Sequence, residues 1–422
     1  MGENRPQSPI GKASLLAQVL ERTNLIRALQ QVKRNKGVAG VDGMTVEALP
    51  DYLKQHWPEI KSQLLSGEYR PQAVKRVEIP KPDGRKRKLG IPTVIDRLIQ
   101  QAIAQVLAPI WEPHFHPHSY GFRPNRNAQQ AVKQAQSEIN QGKKWVVDLD
   151  LDAFFDRVNH DRLMQTLKTR IKDKDLLRLI NRYLKSGIQS KEHKEKTTQG
   201  VPQGSPLSPL LSNIVLNELD WELERRGHAF VRYADDCQIY VSSQRAGERV
   251  KQSISDFIEQ TLRLKVNVNK SAVARPWKRK FLGFTFSSRR GHKIKVSDAA
   301  LEKLKQTVRK LCRRTRGHSI FQIIAELRRS LLGWKAYFGL AEIKSPQRDV
   351  EKWIRRKLRC YLWKQWGRSG YRKLRRLGVK RQLAWNTAKS AHGPWRLSKS
   401  PALYYALPNR YFRDLGLPSL VA

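Results

Sequence analysis

Asp235 and Asp236 stand side by side inside Phe230-Val-Arg-Tyr-Ala-Asp-Asp-Cys-Gln-Ile-Tyr-Val241, where apolar, β-prone runs flank the acids. Such runs around a short polar turn predict a β-hairpin. Two carboxylates at a hairpin tip repel each other unless a cation sits there, and hard oxygen ligands of this kind suit Mg²⁺. A second acidic segment, Trp145-Val-Val-Asp-Leu-Asp-Leu-Asp152, alternates strictly. As a strand it places Val147, Leu149 and Leu151 on one face and Asp148, Asp150 and Asp152 on the other. If both elements present acids to one point, two Mg²⁺ ions about 4 Å apart would bind there and phosphoryl transfer is the chemistry implied. A solvated edge strand gives the same alternation, and the spacing alone does not choose between Asp148 and Asp150. His114-Phe-His-Pro-His118 has the spacing of a loop zinc site, but a connecting loop accounts for it and no zinc is expected.

The elements that must position these acids follow from periodicity. Apolar residues at helical spacing (Leu15, Leu16, Val19, Leu20, Ile26, Leu29, Val32) predict a helix over 14–36. Helices are also expected over 45–66, 94–112, 127–141, 161–186 (one or two), from about 210 to 226, and near 246–262. Strands are expected from Lys75 to Leu89 around the turn Pro82-Asp83-Gly84, over 145–151, and near 264–274 and 281–296. A Gly- and Pro-rich loop occupies 200–209. Val350, Trp353, Ile354, Leu358, Tyr361 and Leu362 predict an amphipathic helix whose other face carries Lys352, Arg355, Arg356, Lys357 and Arg359.

Composition narrows the partner. The 422 residues suffice for two or three domains. Lys and Arg number 82 against 37 Asp and Glu, a formal charge of +45, which self-repels without a counter-charge and points to a polyanion. The surplus deepens after residue 300: residues 301–422 hold thirty Lys and Arg against six Asp and Glu, with six of the eleven Trp. Basic residues interleaved with aromatics favour phosphate contacts plus base stacking. Mean hydropathy is −0.62 and no apolar run is long enough to span a bilayer, so no membrane partner is expected. Cys237, Cys312 and Cys360 are too scattered for a disulfide framework or a zinc site. With no apolar leader after Met1, a cytoplasmic location is expected.

The ordered set Asp150-Leu-Asp-Ala-Phe-Phe-Asp156, Gln199-Gly-Val-Pro-Gln-Gly-Ser-Pro-Leu-Ser-Pro-Leu-Leu-Ser-Asn213, Tyr233-Ala-Asp-Asp236 and Phe281-Leu-Gly-Phe284 resembles the motifs of reverse transcriptases. The group II intron-encoded reverse transcriptase/maturase family is the most similar branch. Lys36-Gly-Val-Ala-Gly-Val-Asp-Gly43 resembles its N-terminal extension, and Ile79-Pro-Lys-Pro-Asp-Gly84 with Arg87-Lys-Leu-Gly-Ile-Pro92 resembles its fingers. Ser119-Tyr-Gly-Phe-Arg-Pro124 resembles the segment that follows, and Leu332-Gly-Trp334 with Tyr337-Phe338 its maturase region.

The resemblance implies an α+β right-hand polymerase. Residues 1–74 would form an N-terminal extension and the start of the fingers, 75–296 the fingers and palm, 297–379 the α-helical thumb or maturase domain, and 380–422 a short basic DNA-binding segment. Asp150, Asp235 and Asp236 become the catalytic carboxylates, with the Leu151 carbonyl as a further ligand to two Mg²⁺ ions; Asp150 is preferred to Asp148 by its spacing to Phe154-Phe155. Lys81 and Arg87 would hold the incoming triphosphate, Phe154 would exclude a 2′-hydroxyl, Gln203 and Gly204 would shape the nucleotide pocket, and Lys270 would meet the leaving pyrophosphate. Arg123, Phe281, Gly283, Lys352, Arg355, Arg356, Arg359, Lys380 and Arg381 would contact nucleic acid.

The activity so implied is RNA-directed DNA polymerisation from dNTPs on a DNA primer and RNA template, with binding of structured intron RNA to assist splicing and retromobility. No paired-cysteine, histidine-rich endonuclease module follows, so DNA cleavage is not expected. Three rivals remain: a non-catalytic RNA-binding splicing factor, a domesticated polymerase of host defence or DNA repair, and an RNA-directed RNA polymerase. Intact acids argue against the first and Phe154 against the third; the genomic surroundings would decide the second.

Overall fold

The computed structural model describes residues 14–80, 84, 86–189, 194–195 and 197–421. They fall into two compact units, Met1–Glu138 with Gly142–Ala274, and Ile139–Gln141 with Arg275–Ala422. Among the described residues no helix is long and apolar enough to cross a membrane.

In the first unit the strands are β1 (Val74–Pro80), β2 (Lys86–Ile91), β3 (Trp145–Leu149), β4 (Ile188–Gln189), β5 (Lys194–Glu195), β6 (Ala229–Tyr233), β7 (Asp236–Val241) and β8 (Ala272–Ala274). They make two four-stranded sheets, ordered β2-β1-β4-β5 and β6-β7-β3-β8. Periodicity located most helices to within a few residues: Leu49–Leu65, Val94–Trp111, Ala128–Asn140, Ser208–Arg225 and Gln244–Gln260. The expected helix over 14–36 is two, Leu15–Val19 and Arg22–Asn35, because the chain turns extended at Glu21. Residues 161–186 divide into His160–Lys168 and Lys174–Leu184, the second capped by Asp173, whose carboxylate accepts from the Asp175 and Leu176 N–H groups. The short strands β4 and β5 have no periodicity long enough to read.

The Val94–Trp111 helix is the spine of this unit, with Leu98, Ile99, Ala102, Ile103 and Leu107 at 1% exposure or less. Its first turn is tied by the buried Asp96, which accepts hydrogen bonds from Tyr69 Oη (2.8 Å), Thr93 Oγ1 (2.8 Å) and the Gln72 N–H (3.2 Å). Burial raises this carboxyl above its ordinary range even though those donors pull the other way. The link joins the chain entering β1 to the helix that follows β2.

The second unit begins with β9 (Phe284–Phe286) and β10 (Ile294–Val296), which among the described residues pair with each other as a two-stranded sheet. Phe284 packs on Phe338, ring centroids 5.1 Å apart, and the Ile294 carbonyl accepts from the Glu342 N–H. These strands therefore pack with the helices that follow, and the two compact units divide at 275. Three helices, Asp298–Leu311, Ile320–Phe338 and Ser345–Trp366, bury Leu304, Val308, Ile323, Leu327, Leu331, Ile354 and Leu358 between them. Five short helices continue through Gly370–Arg376, Arg381–Ala388, Pro394–Leu397, Pro401–Ala406 and Asn409–Asp414. Residues 380–422 are no separate unit: Arg359, 2% exposed, donates to the Leu407 carbonyl and to Asn409 Oδ1. Near the start of the described residues, Asn24 donates to the Ala102 carbonyl of the central helix.

Candidate active site

β6 and β7 form the hairpin expected over 230–241, in a register that pairs Tyr233 with Asp236. The two-residue loop is Ala234-Asp235, and Ala234 takes a left-handed φ of 56°, a conformation that strains a residue with a Cβ. β3 runs antiparallel to β7 with Asp148 opposite Gln238 and Leu149 opposite Cys237. Continued by one residue, that register sets Asp150 across from Asp236. The two acidic segments thus meet at one end of the sheet. Asp235 is partly exposed and Asp236 exposed, while the apolar faces of both strands (Val147, Leu149, Ile239) are buried.

Asp150 is fixed from its other side by the segment leading into β8. Its N–H donates to Ser271 Oγ (3.0 Å), its carbonyl accepts from the Asn267 N–H (2.8 Å), and the Asp152 N–H donates to the Lys265 carbonyl (2.7 Å). Leu151 lies opposite Val266 between those bonds. In such a non-hydrogen-bonded pair the backbone groups face the opposite side of the strand, so the Leu151 carbonyl turns toward β7. Lys270 Nζ lies 3.7 Å from Asp150 Oδ2. Asp148, by contrast, accepts from Gln238 Nε2 at 3.2 Å, two residues back from the tip. The structure therefore separates two acids that the sequence left as alternatives.

The hairpin rests on a buried clamp that the sequence reading missed. Arg232 and Asp220 are both fully buried, paired at 2.6 Å (Nε–Oδ1) and 2.5 Å (Nη2–Oδ2). The guanidinium also donates to Asn213 Oδ1 (3.1 Å), Ser119 Oγ (2.7 Å) and the Ala234 carbonyl (2.8 Å). These contacts use all five of its donors, and one of them holds the strained residue before Asp235. The available signal was an arginine inside an apolar strand, which must find a partner when buried.

The 199–208 loop approaches from the side. The Val201 N–H donates to the Phe155 carbonyl and the Gly200 N–H to the Val158 carbonyl. Gly200 has φ +94°, and a Cβ there would lie 3.0 Å from the Asp156 carbonyl oxygen. The Gln203 carbonyl accepts from the Gly90 N–H of β2 at 2.8 Å, so Gln203 and Gly204 lie against β2. Next to them a cleft of about 190 Å³ is lined by Arg76, Lys88, Phe155 and Gln199; Arg76 and Lys88 are basic residues the sequence reading did not single out. Phe154 is 2% exposed and packs edge-on against Phe155 at 5.2 Å. Lys81 lies outside the described residues. Arg87 is placed in β2 opposite Ile79, but its side chain is outside the description too.

Several expected nucleic-acid contacts are corrected. Arg123 faces inward: it pairs with Glu112 (Nη2–Oε1 2.7 Å) and donates to the His116 and Ser119 carbonyls. Arg359 is buried as described, over the Tyr404 ring at 4.1 Å. Both guanidiniums are turned to partners within the fold, Arg123 to a carboxylate and carbonyls and Arg359 to the Leu407 carbonyl and Asn409 Oδ1. Phe281 is 3% exposed and closes a tight turn with Phe284; what emerges is Leu282-Gly283, with φ of 51° and 81°. Arg356 stacks on Trp395 at 3.7 Å, Arg355 pairs with Glu351 and Lys352 with Asp349. Lys380 and Arg381 are exposed.

The histidine run is built into the fold. His116 is 3% exposed, accepts the His118 N–H on Nδ1 (3.0 Å), and reaches Glu224 with Nε2 (3.3 Å). Its ring packs on Phe230 and Trp221. His114 Nε2 accepts from Arg170. Among the described residues no three His, Cys, Asp or Glu side chains are gathered closely enough to hold an ion by themselves. Mg²⁺ does not require that: it keeps waters and binds through one or two carboxylates plus substrate phosphates.

Comparison with known proteins bears on both units. A reverse transcriptase (RNA-dependent DNA polymerase) domain is recognised over residues 79–286, and a group II intron maturase-specific domain over residues 301–378. Protein YkfC of Escherichia coli K12 is 32% identical over 272 residues, covering 56% of this chain and 71% of that protein. The group II intron-encoded protein LtrA of Lactococcus lactis is 36% identical over 194 residues, covering 46% of this chain and 32% of LtrA; the match thus spans about a third of that relative. A partial Cas6-RT-Cas1–Cas2 complex superimposes on 59% of this chain and 44% of its own at 26% identity, with a TM-score of 0.38, too loose an overlap to argue from.

Proposed function

This chain belongs to the group II intron-encoded reverse transcriptase/maturase family and carries an RNA-directed DNA polymerase domain, and we propose that it copies an RNA template into DNA by extending a primer 3′-hydroxyl with dNTPs while its basic C-terminal unit holds structured intron RNA. The observation that carries this reading is the register of β3 against β7, which delivers acids from two strands to the same end of one sheet.

Family members are metal-dependent, and the donor set here fits two Mg²⁺ ions. Asp150, Asp235, Asp236 and the Leu151 carbonyl are all hard oxygens, and the Lys270 ammonium beside Asp150 marks where positive charge is drawn. Two ions held there supply activation of the attacking hydroxyl and neutralisation of the triphosphate. The protein's own contribution is placement. Asp150 is locked by Ser271 and Asn267, and Asp235 by the clamped Ala234. Lys270, released from Asp150, reaches the leaving pyrophosphate, and Lys81 and Arg87 hold the triphosphate, the guanidinium bidentately. Phe154 lies under the sugar and excludes a 2′-hydroxyl; Gln203 and Gly204 close the pocket beside β2. Lys380 and Arg381, exposed on the C-terminal unit, contact phosphates.

The test is primer extension on an RNA template with Mg²⁺, comparing wild type with Asp235→Ala/Asp236→Ala. Wild type should make cDNA and the double variant none, with RNA binding largely kept and steeply weakened by salt in both. Extension by the double variant at the wild-type rate would remove the acids from the mechanism.

A further inference from the structure

The segment 119–124 offers a binding residue that the reading above does not use. Ser119, Tyr120, Gly121 and Arg123 are buried, and between them Phe122 is 53% exposed. An isolated exposed hydrophobe needs no explanation. Three features set Phe122 apart. It holds a left-handed backbone, φ +59°, which is costly for an aromatic residue and clusters at functional sites. Its two neighbours are locked: the Gly121 carbonyl accepts from Asn213 Nδ2 (2.8 Å), and Arg123 is pinned by Glu112 and by the His116 and Ser119 carbonyls. The surrounding structure thus forces the ring outward. The third feature is place. A Cβ on Gly121 would lie 2.3 Å from the Ala234 nitrogen, so Phe122 is one residue from direct contact with the turn that carries Asp235.

We propose that Phe122 is a stacking residue for a nucleobase of the template–primer next to the Asp235-Asp236 turn. The proposal rests on the polymerase reading: a primer terminus must come to that end of the sheet, and an aromatic face beside it takes any base because every base presents a π-surface. The backbone that carries the ring is held on both sides by Gly121 and Arg123, so the loop need not be ordered on binding. Arg123, the residue a charge-based reading selects, holds the ring in place rather than touching the strand.

The experiment measures binding of a fluorescein-labelled RNA template–DNA primer to the full chain across a KCl series, with thermal melts alongside. Phe122→Asn removes the ring but suits the left-handed backbone, so the melting temperature should stay the same or rise. Affinity should fall roughly five- to a hundredfold, with the slope of log affinity against log salt unchanged because no phosphate contact is lost. Phe122→Trp should bind at least as tightly as wild type. Unchanged affinity for Phe122→Asn overturns the proposal, as does a lowered melting temperature that accounts for the loss with no recovery in Phe122→Trp. Wild-type extension in the same preparations keeps the two claims apart: extension with an indifferent Phe122 sinks only the stacking role, whereas no extension sinks the polymerase reading and the stacking role together.

Discussion

Gln238 donates a hydrogen bond from Nε2 to Asp148 Oδ1 at 3.2 Å, and Tyr240 Oη donates to Gln238 Oε1 at 2.9 Å. Asp148 and Asp150 lie on the same face of the alternating strand, yet only Asp148 is drawn into this chain of polar groups inside the sheet. Asp150 lies beyond the last paired residue of β3, where β7 begins at Asp236. Asp150→Asn should therefore reduce cDNA synthesis by a factor on the order of a thousand, the scale on which loss of a charge-stabilising group is felt. Asp148→Asn keeps the hydrogen bond to Gln238 and should stay within about tenfold of wild type by the same comparison. Single-nucleotide extension rates for the two variants decide it; equal losses would return the two acids to the ambiguity the sequence left.

The Arg232–Asp220 pair allows stability and activity to be separated. Arg232→Met strands a buried carboxylate and should cost about 3–5 kcal/mol of stability. Adding Asp220→Leu removes the stranded charge, and replacement of a buried pair by apolar groups is often neutral or stabilising. The double variant should then melt near wild type while still lacking the donor to the Ala234 carbonyl, so the turn carrying Asp235 loosens. A low kcat with a near-normal melting temperature is expected, together with a raised Mg²⁺ requirement. If activity returns in step with stability, the clamp only holds the fold.

The alternating strand, the hairpin and the order of helices were legible because each is a local pattern: period two for residues 145–152, two apolar runs around an acidic turn, and period 3.6 elsewhere. What was not legible is how long-range pairing uses side chains. Arg123 and Arg359 look like surface charge in a strongly basic chain, but the fold turns Arg123 onto Glu112 in the same stretch and brings the Leu407 carbonyl to Arg359 from 48 residues away. Arg232 lies within the very hairpin that the sequence singled out, and its partner Asp220 is twelve residues earlier on a helix. The division of the compact units at residue 275 is likewise no local pattern. β9 and β10 read as continuations of a sheet, and only the packing of Phe284 on Phe338 assigns them to the following helices.

Phe154 carries a test that must control for its burial. At 2% exposure against Phe155 it is a core side chain in this state, and truncation to Ala should cost about 3–5 kcal/mol. Phe154→Val retains part of the volume, and should let the protein use NTPs more readily while lowering its melting temperature. Comparing kcat/KM for dNTP and NTP cancels the fraction of folded enzyme, which is the same in both assays. A falling dNTP preference supports the gate; a constant preference with a lower melting temperature makes Phe154 a packing residue only.

His116 predicts how stability responds to acid. Its ring lies between Phe230 and Trp221, and burial holds its pKa below the ordinary value of about 6.5, with nearby His118 acting in the same direction and Asp220 and Glu224 opposing. Nδ1 already accepts the His118 N–H, so a second proton would set two donors against each other. The unfolded chain has no such restraint and takes up the proton near pH 6.5. Stability from this group is complete above that value and is lost as pH falls through the lower folded pKa. His160 is also buried, with its pKa lowered in the same sense, and should add to the effect. Melting temperatures measured from neutral to mildly acidic pH should decline, and His116→Phe, which keeps the ring packing, should decline less. A slope unchanged by that substitution would assign the acid sensitivity to other groups.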